Sequence, residues 1–206
     1  PDYNGGVPVG TVRPREWPLA ELRDALRDLP FGGDVADLIR ETHLPGATMG
    51  EAFRALLERL LKPHGFLFLD PLHPAIRELA APMLRRAILM GDELNHLLLQ
   101  RNRELESAGY HAQVHVDARS SLFFVLRDGR RLALRDVKTP VEQLAECAES
   151  ISPNALLRPV VQDFMLPTAA YVGGPAELAY FAQSQVLYER LLGHMPRLVS
   201  RNGFTL

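Results

Sequence analysis

Cysteine occurs once in these 206 residues, at Cys147, so no internal disulfide can form. No Cys/His cluster has the spacing of a structural zinc site, and no metal is expected. A single thiol suits a reducing compartment, and a cytoplasmic location is expected. Neither sign of charge is in excess: 23 Lys and Arg against 25 Asp and Glu leave a net −2. That balance lacks the basic footprint of nucleic-acid binding or of polybasic membrane attachment. No run approaches the roughly 20 apolar residues that span a bilayer. The opening Pro1-Asp2-Tyr3-Asn4-Gly5-Gly6 has neither the charged nor the apolar region of a signal peptide. It also lacks an initiator Met, and the chain is expected to be a piece of something longer. Internal repeats and low-complexity tracts are absent. What remains is 47% apolar and 23% charged, the composition of a folded globular chain of one or two domains.

Residues 1–14 are Gly/Pro-rich and read as linker or extended chain. Residues 15–73 read as a helical segment leading to a core strand. Trp17-Pro18 starts a helix with Leu19, Leu22, Leu26 and Leu29 at helical spacing, ended by Gly32-Gly33. A second helix covers about 34–43. Thr48-Met49-Gly50-Glu51 is a capping box that opens a third, carrying Phe53, Leu56, Leu57, Leu60 and Leu61 on one side. After Pro63-His64-Gly65, the apolar run Phe66-Leu67-Phe68-Leu69 is expected as a buried strand of a parallel sheet.

Residues 74–151 read as an inserted helical and β-hairpin region. A helix from residue 74 is expected to break at Pro82, which lacks the N–H of the helical ladder, and to resume from Met83 to about Ser107. Gly109 then serves as its C-terminal cap. Tyr110-His111-Ala112-Gln113-Val114-His115-Val116 alternates like a strand. Asp128-Gly129 is a two-residue hairpin turn between 122–126 and 131–134. Thr139-Pro140-Val141-Glu142 has the form of a second capping box before a short helix bearing Cys147, read as a buried thiol. Residues 152–206 read as βαβ. A helical stretch through Leu156 to Met165, kinked or restarted at Pro159, precedes a strand at 167–172. Gly173-Gly174-Pro175, a helix at 176–192 and a strand near Leu198 complete the unit. The class is α/β.

Gly173-Gly174-Pro175-Ala176-Glu177 joins strand to helix, where glycines admit a ligand to the backbone and free N–H groups attract an anion. The spacing matches neither a dinucleotide fingerprint nor a phosphate loop, and Glu177 repels an anion, so a structural turn and a ligand-facing loop both stand. Asn154, Arg158 and Gln162 follow at four-residue steps and share a face on a straight helix; Arg grips carboxylates bidentately. A solvated helix face explains the same pattern. His111, Gln113 and His115 lie on one side of a strand, but the two histidines are about 13 Å apart by strand rise and cannot share a metal. His111 and Gln113 are left as hydrogen-bonding groups. Arg130-Arg131 beside the hairpin turn reads as solvated.

The string from Ser152-Pro153-Asn154-Ala155-Leu156-Leu157-Arg158-Pro159-Val160-Val161-Gln162-Asp163 through Leu166-Pro167-Thr168-Ala169-Ala170-Tyr171-Val172-Gly173-Gly174-Pro175-Ala176-Glu177 to Gln183 resembles the signature block of the BshC family. Tyr110-His111-Ala112-Gln113-Val114, Pro45-Gly46-Ala47-Thr48 with Glu51-Ala52-Phe53, and Leu69-Asp70-Pro71 resemble it too. The chain is similar to the middle portion of that family. The resemblance implies part of a Rossmann-like core, parallel strands with helices, plus helical and β-hairpin connecting-peptide insertions. It implies a ligase that adds L-cysteine to the amino group of glucosaminyl-malate, the last step to the thiol bacillithiol. A nucleotide (ATP or ADP) is the simplest activator of the carboxylate, with Gly173, Gly174 and Glu177 at its site. Arg158 and Asn154, with Gln162, are matched to malate carboxylates, and His111 with Gln113 to sugar or amine contacts; no catalytic residue is assigned. The complete protein is expected to dimerise through a coiled coil outside this sequence, and this piece alone to be inactive. Two alternatives remain open: a non-catalytic ligand-binding or interaction module on the same fold, and a nucleotidyl-transferring enzyme.

Overall fold

A computed structural model of the chain describes residues 6–118, 120–134 and 139–204. It divides into two compact units, one reaching to Asp70 with the hairpin tip Asp128–Arg130, the other Pro71–Arg127 with Arg131–Leu206.

The first unit holds three helices, α1 (Leu19–Leu26), α2 (Gly32–Thr42) and α3 (Met49–Leu61). Gly32 opens α2 rather than closing α1, and a Cβ there would collide with the Leu26 carbonyl oxygen. The expected capping box at α3 forms: Thr48 accepts from the Glu51 N–H at 3.1 Å and Glu51 accepts from the Thr48 N–H at 2.7 Å. Trp17 donates its indole N–H to the Leu44 carbonyl and meets His43 edge-on. Gly65, at φ 67°, turns the chain after α3. The expected strand at 66–69 does not form: these residues are irregular, and Leu67 is 92% exposed. An apolar run becomes a strand only where a neighbour takes its N–H and C=O groups, and the described residues give it none.

The second unit carries the main core. Helix α4 (Pro74–Leu89) runs through Pro82 without ending, and the break falls instead at Met90, before α5 (Gly91–Ser107). Asp92 and Glu93 in the first turn of α5 favour a helix start there. Strands β1 (Phe123–Arg127) and β2 (Arg130–Ala133) form the expected hairpin, with Asp128 and Gly129 at φ 52° and 69°. A third strand, β3 (Ile151–Pro153), is an addition to the sequence reading, pairing antiparallel with β1 in the order β2-β1-β3. Helix α6 (Val141–Glu146) starts after Pro140 with no side-chain cap, so Thr139 does not build the second capping box. Cys147, at its end, is exposed rather than buried.

Helix α7 (Arg158–Met165) begins where Pro159 fits, in the first turn, so the restart at the proline is what occurs. Strand β4 (Ala170–Gly173), helix α8 (Pro175–Leu191) and strand β5 (Arg197–Ser200) then make the βαβ unit, β4 and β5 pairing parallel. Beneath them Phe181 and Tyr188 are fully buried, with Tyr171 against Phe181 at 4.4 Å between ring centroids. Leu94, Leu98, Leu156, Leu157 and Leu187 complete the layer where α5 and α8 meet.

Segment 110–116 is not a strand. The side chain of Gln183, buried completely on α8, donates to the Val114 carbonyl and accepts its N–H, at 2.9 and 2.8 Å. One glutamine thereby satisfies at Val114 the two groups a neighbouring strand would have taken there.

Candidate functional site at the carboxyl end of the parallel strands

Ligands of open α/β sheets sit beyond the carboxyl ends of parallel strands. Here those ends are Gly173 and Ser200, which are register partners, so the following residues, Gly174 and Arg201, also face each other. The Arg201 N–H donates to the Gly173 carbonyl at 2.8 Å, continuing the ladder one step past β5. Its guanidinium lies over Gly174, where a Cβ would stand 2.9 Å from Nη2.

Glu177, in the first turn of α8, ties the turn together. One carboxylate oxygen accepts the Gly174 N–H at 2.8 Å and the other accepts the Tyr171 hydroxyl at 2.7 Å. These two hydrogen bonds, then Arg201 and Arg158, hold its carboxyl below the usual carboxylate range. Burial, and next the negative Glu177, push the Tyr171 hydroxyl up.

Asn154 stands just before α7. Its Oδ1 accepts the N–H groups of Leu156 and Leu157, both at 3.0 Å, and its carbonyl accepts the N–H of Arg158. The three residues at four-residue steps therefore do not share one helix: Asn154 lies in the turn leading into α7, Arg158 is the first helical residue, and Gln162 follows one turn on, exposed. Arg131 on β2 reaches the same place. It donates to the Pro153 carbonyl at 2.8 Å, and its guanidinium lies 3.9 Å over the Phe124 ring. Burial first, then the neighbouring Arg158, hold its pKa down. Arg131 is exposed, as its sequence context suggests, and is at the same time tethered by these two contacts. A cavity of about 470 Å³ has Phe124 and Asn154 in its wall.

The structure therefore gathers Gly173, Gly174 and Glu177, and adds Tyr171 and Arg201; Arg158 follows the Asn154 turn, beside which Arg131 is tethered. His111 and Gln113 line a different groove, of about 610 Å³, with His96, Arg103 and Glu106. Among the described residues no group of three His, Cys, Asp or Glu could hold a metal ion, and no helix is long and apolar enough to cross a membrane. Arg201 was legible in principle: once two strands are read as parallel, the residue after the second faces the residue after the first. Arg131 was not, because the antiparallel strand at 151–153 that brings it to Pro153 is only three residues long.

A family model described as bacillithiol biosynthesis BshC, N-terminal Rossmann-like domain, matches residues 7–202. A protein of Solibacter usitatus named "Putative cysteine ligase BshC" is 53% identical over 97% of this chain and 40% of its own length. Proteins of the same name from Koribacter versatilis and Chlorobaculum tepidum are 41% and 33% identical, over 98% and 91% of the chain and 40% and 36% of their own lengths. The chain thus spans about two fifths of the relatives it matches.

Proposed function

The chain belongs to the BshC family of bacillithiol biosynthesis, and from that premise we propose that it is part of an enzyme joining L-cysteine to the amino group of glucosaminyl-malate. The bond formed is an amide between the cysteine carbonyl carbon and the sugar nitrogen, with loss of the elements of water overall. Family membership carries the cysteine-ligase reading. The observation that supports a small-molecule site on this chain is the Gly173–Gly174 turn at the carboxyl ends of parallel β4 and β5, with the Arg201 guanidinium against it.

In this reading Arg158 takes a carboxylate of the malate moiety, with Gln162 one turn along the same helix. Asn154 serves by fixing the turn from which Arg158 projects, since both polar atoms of its side chain are bonded to backbone. The groove of His111 and Gln113 receives the sugar or its amine. A free carboxylate does not acylate an amine unaided, and a nucleotide is the proposed activator. Glu177 holds the Gly174 N–H that a phosphate would take, so the Gly173–Gly174 turn fits a phosphate only once Glu177 has swung away.

The test is to incubate the complete protein with L-cysteine, glucosaminyl-malate and ATP and to follow the products by mass spectrometry. The reading expects the cysteinyl amide to appear only when both substrates are present. A folded protein that forms no amide overturns it.

A further inference from the structure

The Gln183 side chain that holds Val114 has a further partner. Its Nε2 donates to the Val114 carbonyl at 2.9 Å and also to Oδ1 of Asn102, on α5, at 2.8 Å. Partners decide which way round a side-chain amide sits, and here they leave no choice. Oε1 of Gln183 accepts the Val114 N–H, so its Nε2 faces the carbonyl, and the second hydrogen on that nitrogen requires an oxygen from Asn102. The backbone at Val114 therefore orients two amides in series, and the Asn102 nitrogen is turned away from Gln183.

Asn102 is only 8% exposed, yet its Nδ2 donates to no acceptor among the described residues. It is not sealed in either, since no side-chain nitrogen or oxygen among the described residues is cut off from solvent without a partner. The space it opens on is the groove of about 610 Å³ that Asn102 helps to line. A nearly buried donor with no fixed acceptor costs stability, which an entering oxygen offsets. Leu99, Ala112 and Val116 give the same groove an apolar wall. Arg103, Glu106, His111 and Gln113 also line it, and their side chains bond to no other described residue.

We propose that Asn102 is a substrate-contacting residue of this groove, its Nδ2 donating to a ring or hydroxyl oxygen of a sugar. The inference deepens the ligase reading and rests on it for placing the sugar or its amine here; it decides between the two. An ammonium group carries only donors and finds no partner in Nδ2, whereas a sugar oxygen accepts from it. Apolar walls with a few fixed polar groups suit a pyranose, whose C–H faces are apolar and whose edge is hydroxyl. A carboxylate is disfavoured at this donor, because Glu106 shares the groove and repels it.

The experiment is an NMR titration of the isotope-labelled complete protein with glucosamine, with glucose and with malate. The side-chain amide resonances of Asn102 are assigned by their loss in Asn102→Asp. Both sugars are expected to bind and to shift those resonances, glucose included although it lacks the amine, and malate is expected to leave them in place. Asn102→Leu, close in size, is expected to weaken both sugars about fivefold to tenfold. Hydrogen exchange at Val114, where Gln183 keeps both of its bonds, is expected to stay slow in that variant, which separates loss of the donor from loss of the clamp. Should Asn102→Leu fail to fold, the shifts in the unaltered protein decide alone. Unmoved Asn102 resonances at saturating sugar, movement of them by malate, unchanged sugar affinity in Asn102→Leu, binding of glucosamine without glucose, or binding of neither each overturn the proposal. Binding is read here without turnover, so a protein that binds both sugars through Asn102 yet makes no amide overturns the ligase reading alone.

Discussion

Single side chains in this protein are held by pairs of bonds, and removing one end exposes the other. Asp163 is buried on α7, where it accepts the Thr168 hydroxyl on one oxygen and the Tyr188 hydroxyl on the other, each at 2.6 Å. Asp163→Ala leaves the buried Tyr188 hydroxyl without its acceptor, while the Thr168 hydroxyl keeps the Leu166 carbonyl, and should cost about 2–3 kcal/mol in urea unfolding. Tyr188→Phe, which removes one donor only, should cost about 1–2 kcal/mol. Asn154→Ala loses the acceptor of the Leu156 and Leu157 N–H groups in the turn leading into α7 and should cost about 1 kcal/mol. Its role in that turn was not legible, because the sequence pattern put Asn154 inside a helix and gave no sign that β3 delivers the chain just ahead of it.

The tyrosines give a pH signature. Burial and then the partner carboxylates push Tyr171 and Tyr188 above the ordinary tyrosine value of about 10. A raised folded value means that the stability from these hydroxyls is fully present below that pH and is lost as pH rises toward the raised values. Tyrosinate absorbance should therefore show these two groups ionising only above the ordinary range, together with the loss of near-ultraviolet circular dichroism. Their ionisation near pH 10 in a still-folded protein would contradict the account. Glu177 works in the opposite direction: its lowered value makes its tie between Gly174 and Tyr171 present above the usual carboxylate range and lost as pH falls through the lowered value.

Helix ends that obey local chemistry were readable at the scale of elements. The Thr48/Glu51 box, the Asp128-Gly129 turn and the β4-α8-β5 unit stand as their residues dictate. Elements that depend on distant partners were not. Segment 110–116 alternates like a strand, but the N–H and C=O at its Val114 are taken by one side chain from 69 residues away. Residues 66–69 are apolar enough for a strand yet have no described neighbour to pair with. Pro82 was expected to break a helix that in fact continues to Leu89, so the sequence set the break one helix turn or more too early. The clamp of Gln183 on Val114 makes a prediction at this scale. Gln183→Leu keeps volume but orphans the Val114 groups and the Asn102 amide oxygen, so it should cost about 2 kcal/mol or more. Hydrogen exchange at Val114 should accelerate more than exchange in α4, whereas a uniform change would point to general loosening.

For the whole molecule, the family was legible because a long contiguous string, from Ser152 to Gln183, carries it, and the family model covers residues 7–202. The same string holds Arg158, Gly173, Gly174 and Glu177, and the structure brings the last three together in one turn. Arg131 comes from a different sheet and reaches the Pro153 carbonyl through pairing that no short motif encodes. Because the relatives run to well over twice the length of this chain, the reaction belongs to the complete protein. The most direct measurement is thiol analysis of a bacillithiol-making bacterium deleted for its own BshC and supplied with the complete protein. The account predicts that bacillithiol returns and that glucosaminyl-malate is consumed, with Arg158→Gln restoring far less. Persistent glucosaminyl-malate with no bacillithiol, from a protein present and folded in the cells, would contradict it.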